Sequence, residues 1–199
     1  MASISSKSLG TLIRIADSDG GEGAANYEIA DINNFVSGGV VLVRKNIHSK
    51  SAFGGSSAYP GGTLDNKMTS IYNSLPESLQ SKIMDATFAL AGNGSITRKV
   101  FALTYTMAGF GANNGTTEGK ALQYYTSNAN RIKTYNGAAE KWWLSSRGIT
   151  VGSQGVGTDG AAINNLMSVS NGVVPAFVIP SKTPYNAAPN TDGSYNLIL

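Results

Sequence analysis

The sequence predicts an α+β domain, in which strands at irregular intervals are separated by two or three helices. Three observations lead to this class. Short runs of β-branched and aromatic residues recur along the chain, as at residues 40–43 and 99–105. One stretch, residues 64–75, has apolar residues at helical spacing. The 24 glycines among 199 residues supply many turns. The alternating strand–helix–strand pattern that is typical of a parallel sheet is absent from the sequence.

The first third of the chain is expected to consist of strands joined by a long loop. Residues 9–15 form a short strand candidate, and residues 27–32 alternate between apolar and polar, as in a half-buried strand. Residues 40–43 are a β-branched run after a Gly-Gly turn, which predicts a fully buried strand. Residues 16–26 read as a loop.

Helices are expected in the middle of the chain. The apolar positions of one helix face are Leu64, Met68, Ile71, Tyr72 and Leu75. Thr63 is the predicted N-cap, because its hydroxyl can accept a free amide hydrogen. Pro76 is expected to begin a second short helix. Thr117 is expected to cap a third helix over residues 118–125.

The second half of the chain returns to strands. Asn93-Gly94 signals a turn before the strand at residues 99–105. Residues 141–146 and 173–179 are further strands, with a loop at 152–160 and one more strand within 161–169. The apolar residues 195–199 are expected to pair with residues 12–15 in one sheet, because a free apolar end would be exposed to water.

The bulk composition excludes several classes of protein. Charged residues make up 14% and the net charge is +3, with Lys and Arg scattered, which argues against a nucleic-acid partner. Cysteine is absent, which excludes disulfides, thiolate metal sites and cysteine nucleophiles. No apolar run is long enough to cross a bilayer. The N-terminus lacks the apolar core of a signal peptide.

An ordered set of motifs resembles a little-characterised family from phages and Gram-positive bacteria. The matching segments are Leu9-Gly10, Val41-Leu42-Val43, Ser51-Ala52-Phe53, the helix after Leu64, Val100 to Tyr105, Glu118-Gly119, Tyr124-Tyr125, Trp142-Trp143-Leu144 and Gly172 to Phe177. The resemblance implies a C-type-lectin-like domain similar to sulfatase-modifying factors. Such a domain has twisted antiparallel sheets and adjacent termini, and here it would cover residues 9–199 after a loose arm of residues 1–8.

The chain departs from that family at two arginine positions. Family members usually carry Arg before Ser in the Trp-Trp-Leu strand and Arg before Pro in the last motif, where this chain has Ser145 and Val174. A guanidinium bound to backbone carbonyls is most often structural. We therefore expect a replaced core pairing, with Arg147 taking part of that role.

Catalytic and metal sites are not expected. The single histidine, His48, lies beside Lys45 and Lys50 on a predicted loop and reads as a solvated residue. Asp17-Ser18-Asp19-Gly20 resembles a fragment of a calcium loop but lacks the EF-hand spacing and its distal glutamate. The residues from Gly152 to Gly157 lack the lysine of a phosphate-binding loop. The cysteine on which sulfatase-modifying relatives rely is missing, so we expect no cofactor and no metal.

Aromatic and Asn-rich segments are the candidates for contact with a partner. Trp142 and Trp143 point to opposite faces of a strand, and we assign Trp143 to the core. Trp142 is left as either an interface residue or a ligand platform. For Tyr135 two roles stay open, packing within the protein and stacking against a sugar. The possible ligand or subunit contacts are Trp142, Tyr124, Tyr125, Asn113 and Asn114.

These observations and the resemblance lead to a functional expectation. The chain is expected to be a non-enzymatic bacteriophage virion surface protein, either a capsid decoration or a tail- or baseplate-associated structural protein. It would be made in the host cytoplasm, be present in many copies or as an oligomer, and contact other virion proteins. The alternative is a receptor- or glycan-binding module at the virion tip, whose partner is a host-surface glycan or protein.

Overall fold

The computed structural model describes residues 2–17, 23–54, 59–148 and 152–199. The fold is mostly β, with 41% strand and 12% helix. The predicted α+β class with a C-type-lectin-like arrangement is therefore wrong. The helices in the described ranges are short, namely α1 (Thr63–Ser74), α2 (Glu77–Gln80) and α3 (Asn128–Arg131).

The strands are short and are joined by turns that often contain glycine. In chain order they are β1 (Leu12–Ile15), β2 (Ala25–Ile32), β3 (Gly39–Arg44), β4 (Ser49–Ala52), β5 (Ala86–Leu90), β6 (Gly94–Arg98), β7 (Val100–Ala102), β8 (Lys133–Tyr135), β9 (Ala138–Glu140), β10 (Trp142–Arg147), β11 (Gly152–Val156), β12 (Ala162–Leu166), β13 (Ser170–Val173), β14 (Pro175–Pro180) and β15 (Tyr195–Asn196).

The larger sheet has six strands in the order β15-β1-β2-β3-β14-β7. Strand β3, one of the two central strands, pairs antiparallel with β14, with Val41 opposite Val178. Every residue of β3 is buried. This burial explains the continuous apolar run, and the predicted strand at residues 40–43 is confirmed.

The second sheet has five strands in the order β12-β11-β10-β13-β4. Its central strand β10 pairs antiparallel with β11 and parallel with β13. The backbone amide of Ser145 donates to Leu103 O at 2.8 Å, next to β7 of the first sheet. The Ser145 hydroxyl also bonds Ala102 O and Leu103 O at 3.0 and 3.2 Å. A hydroxyl thus binds backbone carbonyls at the position where the resembling family has arginine.

A guanidinium that binds several carbonyl oxygens belongs to a residue that was not predicted, Arg131. It donates to the carbonyls of Ala108, Gly109 and Tyr125 at 2.5, 3.3 and 3.1 Å. The expectation that Arg147 takes part of that role stays a prediction; its carbonyl accepts from Asn113 Nδ2 at 3.0 Å.

The beginning and the end of the chain meet the same sheet. Ile13 of β1 lies opposite Tyr195 of β15 in a parallel pair. Within the segment expected to be a loose arm, Ile4 is packed: it is fully buried and its amide donates to Thr183 O at 2.9 Å. A short 3-10 turn at Ile4–Ser6 orders this segment.

Two predicted elements differ from the structure for backbone reasons. Residues 118–125 form no helix, because Gly119 has φ of +79° and the Glu118 carbonyl accepts a hydrogen bond from Thr104 Oγ1. Gly152–Val156, within the predicted loop at 152–160, is a strand. A Cβ on Gly155 would lie 2.8 Å from Trp142 O, so glycine permits the close approach of β11 to β10.

Helix α1 begins one residue away from the predicted cap. Gly62 is the N-cap, and Thr63 is the first helical residue. The predicted apolar face is confirmed at Leu64, Met68 and Ile71, which are fully buried, whereas Tyr72 is only partly buried and Leu75 is the C-cap. The second helix follows Pro76, as expected, but Pro76 itself is its N-cap.

Both tryptophans of β10 are fully buried, because each face of this strand is covered. The Trp143 indole donates to Ser51 O at 2.9 Å, and its ring meets Phe53 edge-on at 5.4 Å. The Trp142 indole donates to Arg131 O at 2.9 Å. Trp143 is confirmed as a core residue, and Trp142 is corrected from a surface candidate to a second core residue.

Replacing Trp143 with Ala should lower the free energy of unfolding by about 3–5 kcal/mol, the usual cost of emptying a large aromatic site. Urea denaturation followed by circular dichroism measures this cost. Replacing the exposed Leu9, which is 37% exposed, with Ala is the control and should change stability by at most about 0.5 kcal/mol. A Trp143→Ala variant as stable as this control would contradict the packing described here.

Candidate functional site

The five predicted contact residues do not form one accessible surface. Trp142 and Tyr125 are buried, with exposed fractions of 0% and 1%, so neither can touch a ligand in this fold. Tyr124 is half-buried, and its ring packs edge-on against Tyr125 at 5.5 Å. Its Cε2 would lie 2.7 Å from a Cβ on Gly10. The Tyr124 and Tyr125 pair therefore closes the core beside the first turn of the chain.

The two asparagines predicted for contact have separate roles. Asn113 is buried, and its amide nitrogen donates to Arg147 O at 3.0 Å and to Glu118 Oε1 at 3.2 Å. Asn114 is exposed in a turn with φ of +49°. Asn113 is corrected to a structural residue, while Asn114 stays an accessible candidate.

Asn113 belongs to a buried network around Glu118, whose side chain is fully buried. The Glu118 carboxylate accepts hydrogen bonds from the Ser146 hydroxyl and from the Ala91 amide, the latter at 2.9 Å. The Glu118 amide donates to Thr106 Oγ1 at 2.9 Å. These partners lie on β10, after β5 and after β7, so the side chain and backbone of one residue join three separate parts of the fold.

A second buried carboxylate, Glu28, is paired with two lysines. Lys133 is fully buried and lies 2.5 Å from Glu28 Oε2, and the half-exposed Lys45 lies 2.7 Å from Oε1. Burial lowers the pKa of Lys133, and the neighbouring Glu28 opposes that shift. The pair joins β2 to β8, which are about 100 residues apart in the sequence.

A third buried cluster surrounds Asp17, which is fully buried. Its Oδ2 accepts from the Tyr27 hydroxyl at 2.8 Å and from Arg44 Nε at 3.1 Å. His48 Nε2 lies 3.7 Å from Asp17 Oδ1. Burial, and next the negative Asp17, raise the pKa of Tyr27 well above its usual value, so the phenol stays protonated as a donor.

His48 is therefore not the solvated loop residue that was expected. It is 4% exposed, and its Nδ1 lies 2.9 Å from Ser49 Oγ. The sequence could not reveal the cluster, because Asp17, Tyr27 and Arg44 are far apart in the chain and meet only when β2 and β3 pair. The rest of the predicted calcium-loop fragment, Ser18 to Gly20, lies outside the described residues.

A polar cavity of about 180 Å³ lies above this cluster. Its walls are the loop that follows β3 and the hairpin of β8 and β9. The lining residues are Arg44, Asn46, Ile47, His48, Thr134, Tyr135, Asn136 and Gly137. The two walls are bonded to each other, since Ile47 N donates to Thr134 O and Thr134 Oγ1 donates to Asn46 Oδ1, both at 2.9 Å.

The hairpin wall has a turn that the sequence signals. Tyr135 pairs with Ala138 across the two-residue turn Asn136-Gly137, with φ of +51° and +82°. An Asn-Gly pair of left-handed residues is the preferred two-residue hairpin connection. This signal was present in the sequence but was not used to predict a site.

In the ranges that the structure describes, no three His, Asp or Glu side chains are grouped as metal ligands. No helix there is long and apolar enough to cross a membrane. The candidate site is therefore the polar cavity together with the buried cluster beneath it, which consists of Asp17, Tyr27, Arg44 and His48.

The sequence model of a family described as a domain of unknown function, DUF6273, matches residues 14–181. The chain belongs to the DUF6273 family. No curated protein and no solved structure matches the chain. The DUF6273 match includes the Glu118 network, the Glu28–Lys133 pair and the whole cavity, whereas Ile4 and β15 lie outside it. The cavity and the buried charged groups are thus parts of the DUF6273 domain proper.

The Glu28–Lys133 pair provides a test of whether the buried charges serve the fold. Glu28→Gln alone should lower the free energy of unfolding by about 3–5 kcal/mol, because it leaves a buried ammonium without its partner charge. The double variant Glu28→Gln with Lys133→Met should recover most of that loss, since both buried charges are then removed. Urea denaturation of both variants is the measurement. A single variant within about 1 kcal/mol of the wild type would show that the pair is not structural.

Proposed function

We propose that this DUF6273 domain is a non-enzymatic structural protein of a bacteriophage particle surface, either a capsid decoration or a tail- or baseplate-associated component. The proposal that the protein is not an enzyme rests on one observation: the buried carboxylates already form hydrogen bonds and ion pairs within the protein. The phage assignment is supported by the ordered sequence motifs described above.

The buried carboxylates are used to hold the backbone and neighbouring charges. Asp31 accepts from the amides of Asn34 and Phe35 at 3.0 and 2.8 Å. Asp65 takes two bonds from Arg98, at 2.8 and 2.7 Å. Glu118 accepts hydrogen bonds from Ser146 and from the Ala91 amide, and Glu28 is paired with Lys133. A general acid or base must instead reach the proton of a bound substrate, so these groups favour a structural role over a catalytic one.

A sheet edge offers a contact for neighbouring subunits. Strand β12 forms one edge of the five-stranded sheet, and the segment from Ala161 to Gly172 carries no charged residue and no proline. Leu166 is 59% exposed and Val169 is 39% exposed. Sheet edges are usually protected by charge, proline or a bulge, so an uncharged edge with exposed apolar side chains favours contact with another protein surface.

Particles purified from the producing host provide the test. Mass spectrometry should detect the chain, and gold-labelled antibody should place it on the particle surface. Hundreds of copies over the capsid indicate decoration, whereas a few copies at the distal tail favour a receptor-binding module. Absence of the chain from purified particles would contradict the proposal.

The edge contact has a matched pair of variants. Leu166→Glu places a charge on the β12 edge and should reduce incorporation into particles several-fold, because a buried contact would then desolvate a carboxylate. Leu9→Glu makes the same change at an exposed leucine elsewhere and should leave incorporation unchanged. Equal incorporation of both variants would show that the β12 edge is not the contact.

A receptor- or glycan-binding module at the virion tip is the second candidate function. The polar cavity between the loop after β3 and the β8–β9 hairpin is the observation that favours it. Labelling that is confined to a few copies at the distal tail would support this candidate over capsid decoration.

A further inference from the structure

We propose that the polar cavity beside Asn46 and Asn136 is a binding site for a single neutral sugar ring. The inference does not depend on the structural role proposed above; it names the ligand class of the cavity that favours the second candidate function. It rests on the charge balance of the cavity, on its lining groups, on its size and on the rigidity of its walls.

The cationic groups at the cavity lie beside carboxylates, which argues against an anionic ligand: Arg44 and His48 face Asp17, and Lys50 faces Glu140. The Arg44 guanidinium donates to Asp17 at 3.1 Å and to Asn46 O at 3.2 Å. Lys50 lies 5.3 Å from the centre of the Tyr135 ring, but its ammonium is paired with Glu140 at 2.9 Å. A cavity for phosphate or carboxylate would present an unbalanced cation, so a neutral ligand fits better.

The lining groups suit a ligand that has several hydroxyls. Asn46 and Asn136 each carry an amide with both donor and acceptor atoms. The Asn46 oxygen is already bonded by Thr134 Oγ1 at 2.9 Å, so its amide nitrogen is the group that remains for a ligand. Tyr135 adds a phenol hydroxyl, which can both donate to and accept from a sugar hydroxyl.

The size and stiffness of the cavity restrict the ligand to one ring. A volume of about 180 Å³ is below the range of about 300–1,000 Å³ of pockets for drug-sized molecules. The backbone bond from Ile47 to Thr134 and the Asn136-Gly137 turn fix both walls before any ligand arrives. A preformed site loses less freedom on binding, so a small ligand can be bound with few contacts.

A second Asn-Gly turn provides a matched control within the same chain. Asn113 pairs with Thr116 across Asn114-Gly115, and Asn114 has φ of +49°, close to the +51° of Asn136. Glycine adopts such φ values without strain. The Asn136→Gly and Asn114→Gly variants should therefore both fold, and each removes one exposed amide from the same kind of turn.

The test is a titration of the full-length chain, labelled with ¹⁵N, with glucose, galactose, mannose, rhamnose and N-acetylglucosamine in separate NMR experiments. At least one sugar should shift the amide signals of Asn46 and of Thr134 to Gly137 in a saturable way. Asn136→Gly should weaken this binding about five- to tenfold, the effect of one or two lost hydrogen bonds. Asn114→Gly should leave it unchanged, and Asn46→Ala, at an exposed position, should weaken it like Asn136→Gly.

Three results would overturn the proposal. The first is that no sugar shifts these signals at concentrations of tens of millimolar. The second is that inorganic phosphate or acetate shifts them while the sugars do not, which would indicate an anion site. The third is that Asn114→Gly weakens binding and Asn136→Gly does not, which would place the ligand at the other turn.

Two further probes distinguish the source of the sugar. Methyl α- and β-glycosides of the bound sugar are titrated in the same way. Binding of either glycoside indicates that the cavity takes the terminal residue of a glycan. Binding of the free sugar alone indicates a small-molecule ligand. Both results support a sugar-ring site.

Discussion

The carboxylate of Glu118 is the interaction on which the arrangement of the two large sheets depends. It binds Ser146 on the central strand of one sheet, the Ala91 amide beside the β5–β6 hairpin, and Asn113 in a turn. Its own amide and carbonyl are bonded by Thr106 and Thr104, which follow β7 of the other sheet. Ser145, next to Ser146, bonds the carbonyls of Ala102 and Leu103 directly. Backbone groups that would otherwise be buried without partners are satisfied in this way, and β10 is held against the edge of the six-stranded sheet.

The other buried charged groups follow the same rule at different places. Glu28 with Lys133 joins β2 to the β8–β9 hairpin, and Asp17 with Arg44 and Tyr27 joins the end of β1 to β2 and β3. A buried ion pair is seldom more stabilising than a well-packed apolar pair, but removing one partner is costly. We interpret these pairs as devices that specify which strands meet. The hairpin that Lys133 positions is also one wall of the polar cavity, so the same pairing that orders the fold shapes the candidate binding site.

The sequence predicted the parts of the fold that depend on local pattern. The buried run at residues 40–43 and the apolar face of α1 are set by side-chain periodicity, and the structure agrees with both. The helix at residues 118–125 and the loop at 152–160 were wrong, because tertiary bonds to Glu118 and the approach of β11 to β10 override local propensity. Trp142 and Tyr125 were offered as contacts, yet both are buried, since periodicity does not reveal that both faces of β10 are covered. The cavity was not predicted because its residues come from segments about ninety positions apart, as Asn46 and Thr134 do.

The free energy of unfolding of Glu118→Gln, measured by urea denaturation, tests most directly whether the buried carboxylates hold this fold together. Glutamine has nearly the same shape, but an amide nitrogen replaces one carboxylate oxygen. This nitrogen is a donor and cannot accept the hydrogen bonds that the oxygen receives. Hydrogen bonds to charged groups contribute about 1.5–3 kcal/mol each, so we expect a loss of about 2–3 kcal/mol or more. Glu77→Gln, at an exposed position in α2, is the control and should change stability by at most about 0.5 kcal/mol. An unfolding free energy for Glu118→Gln equal to that of the control would contradict the account.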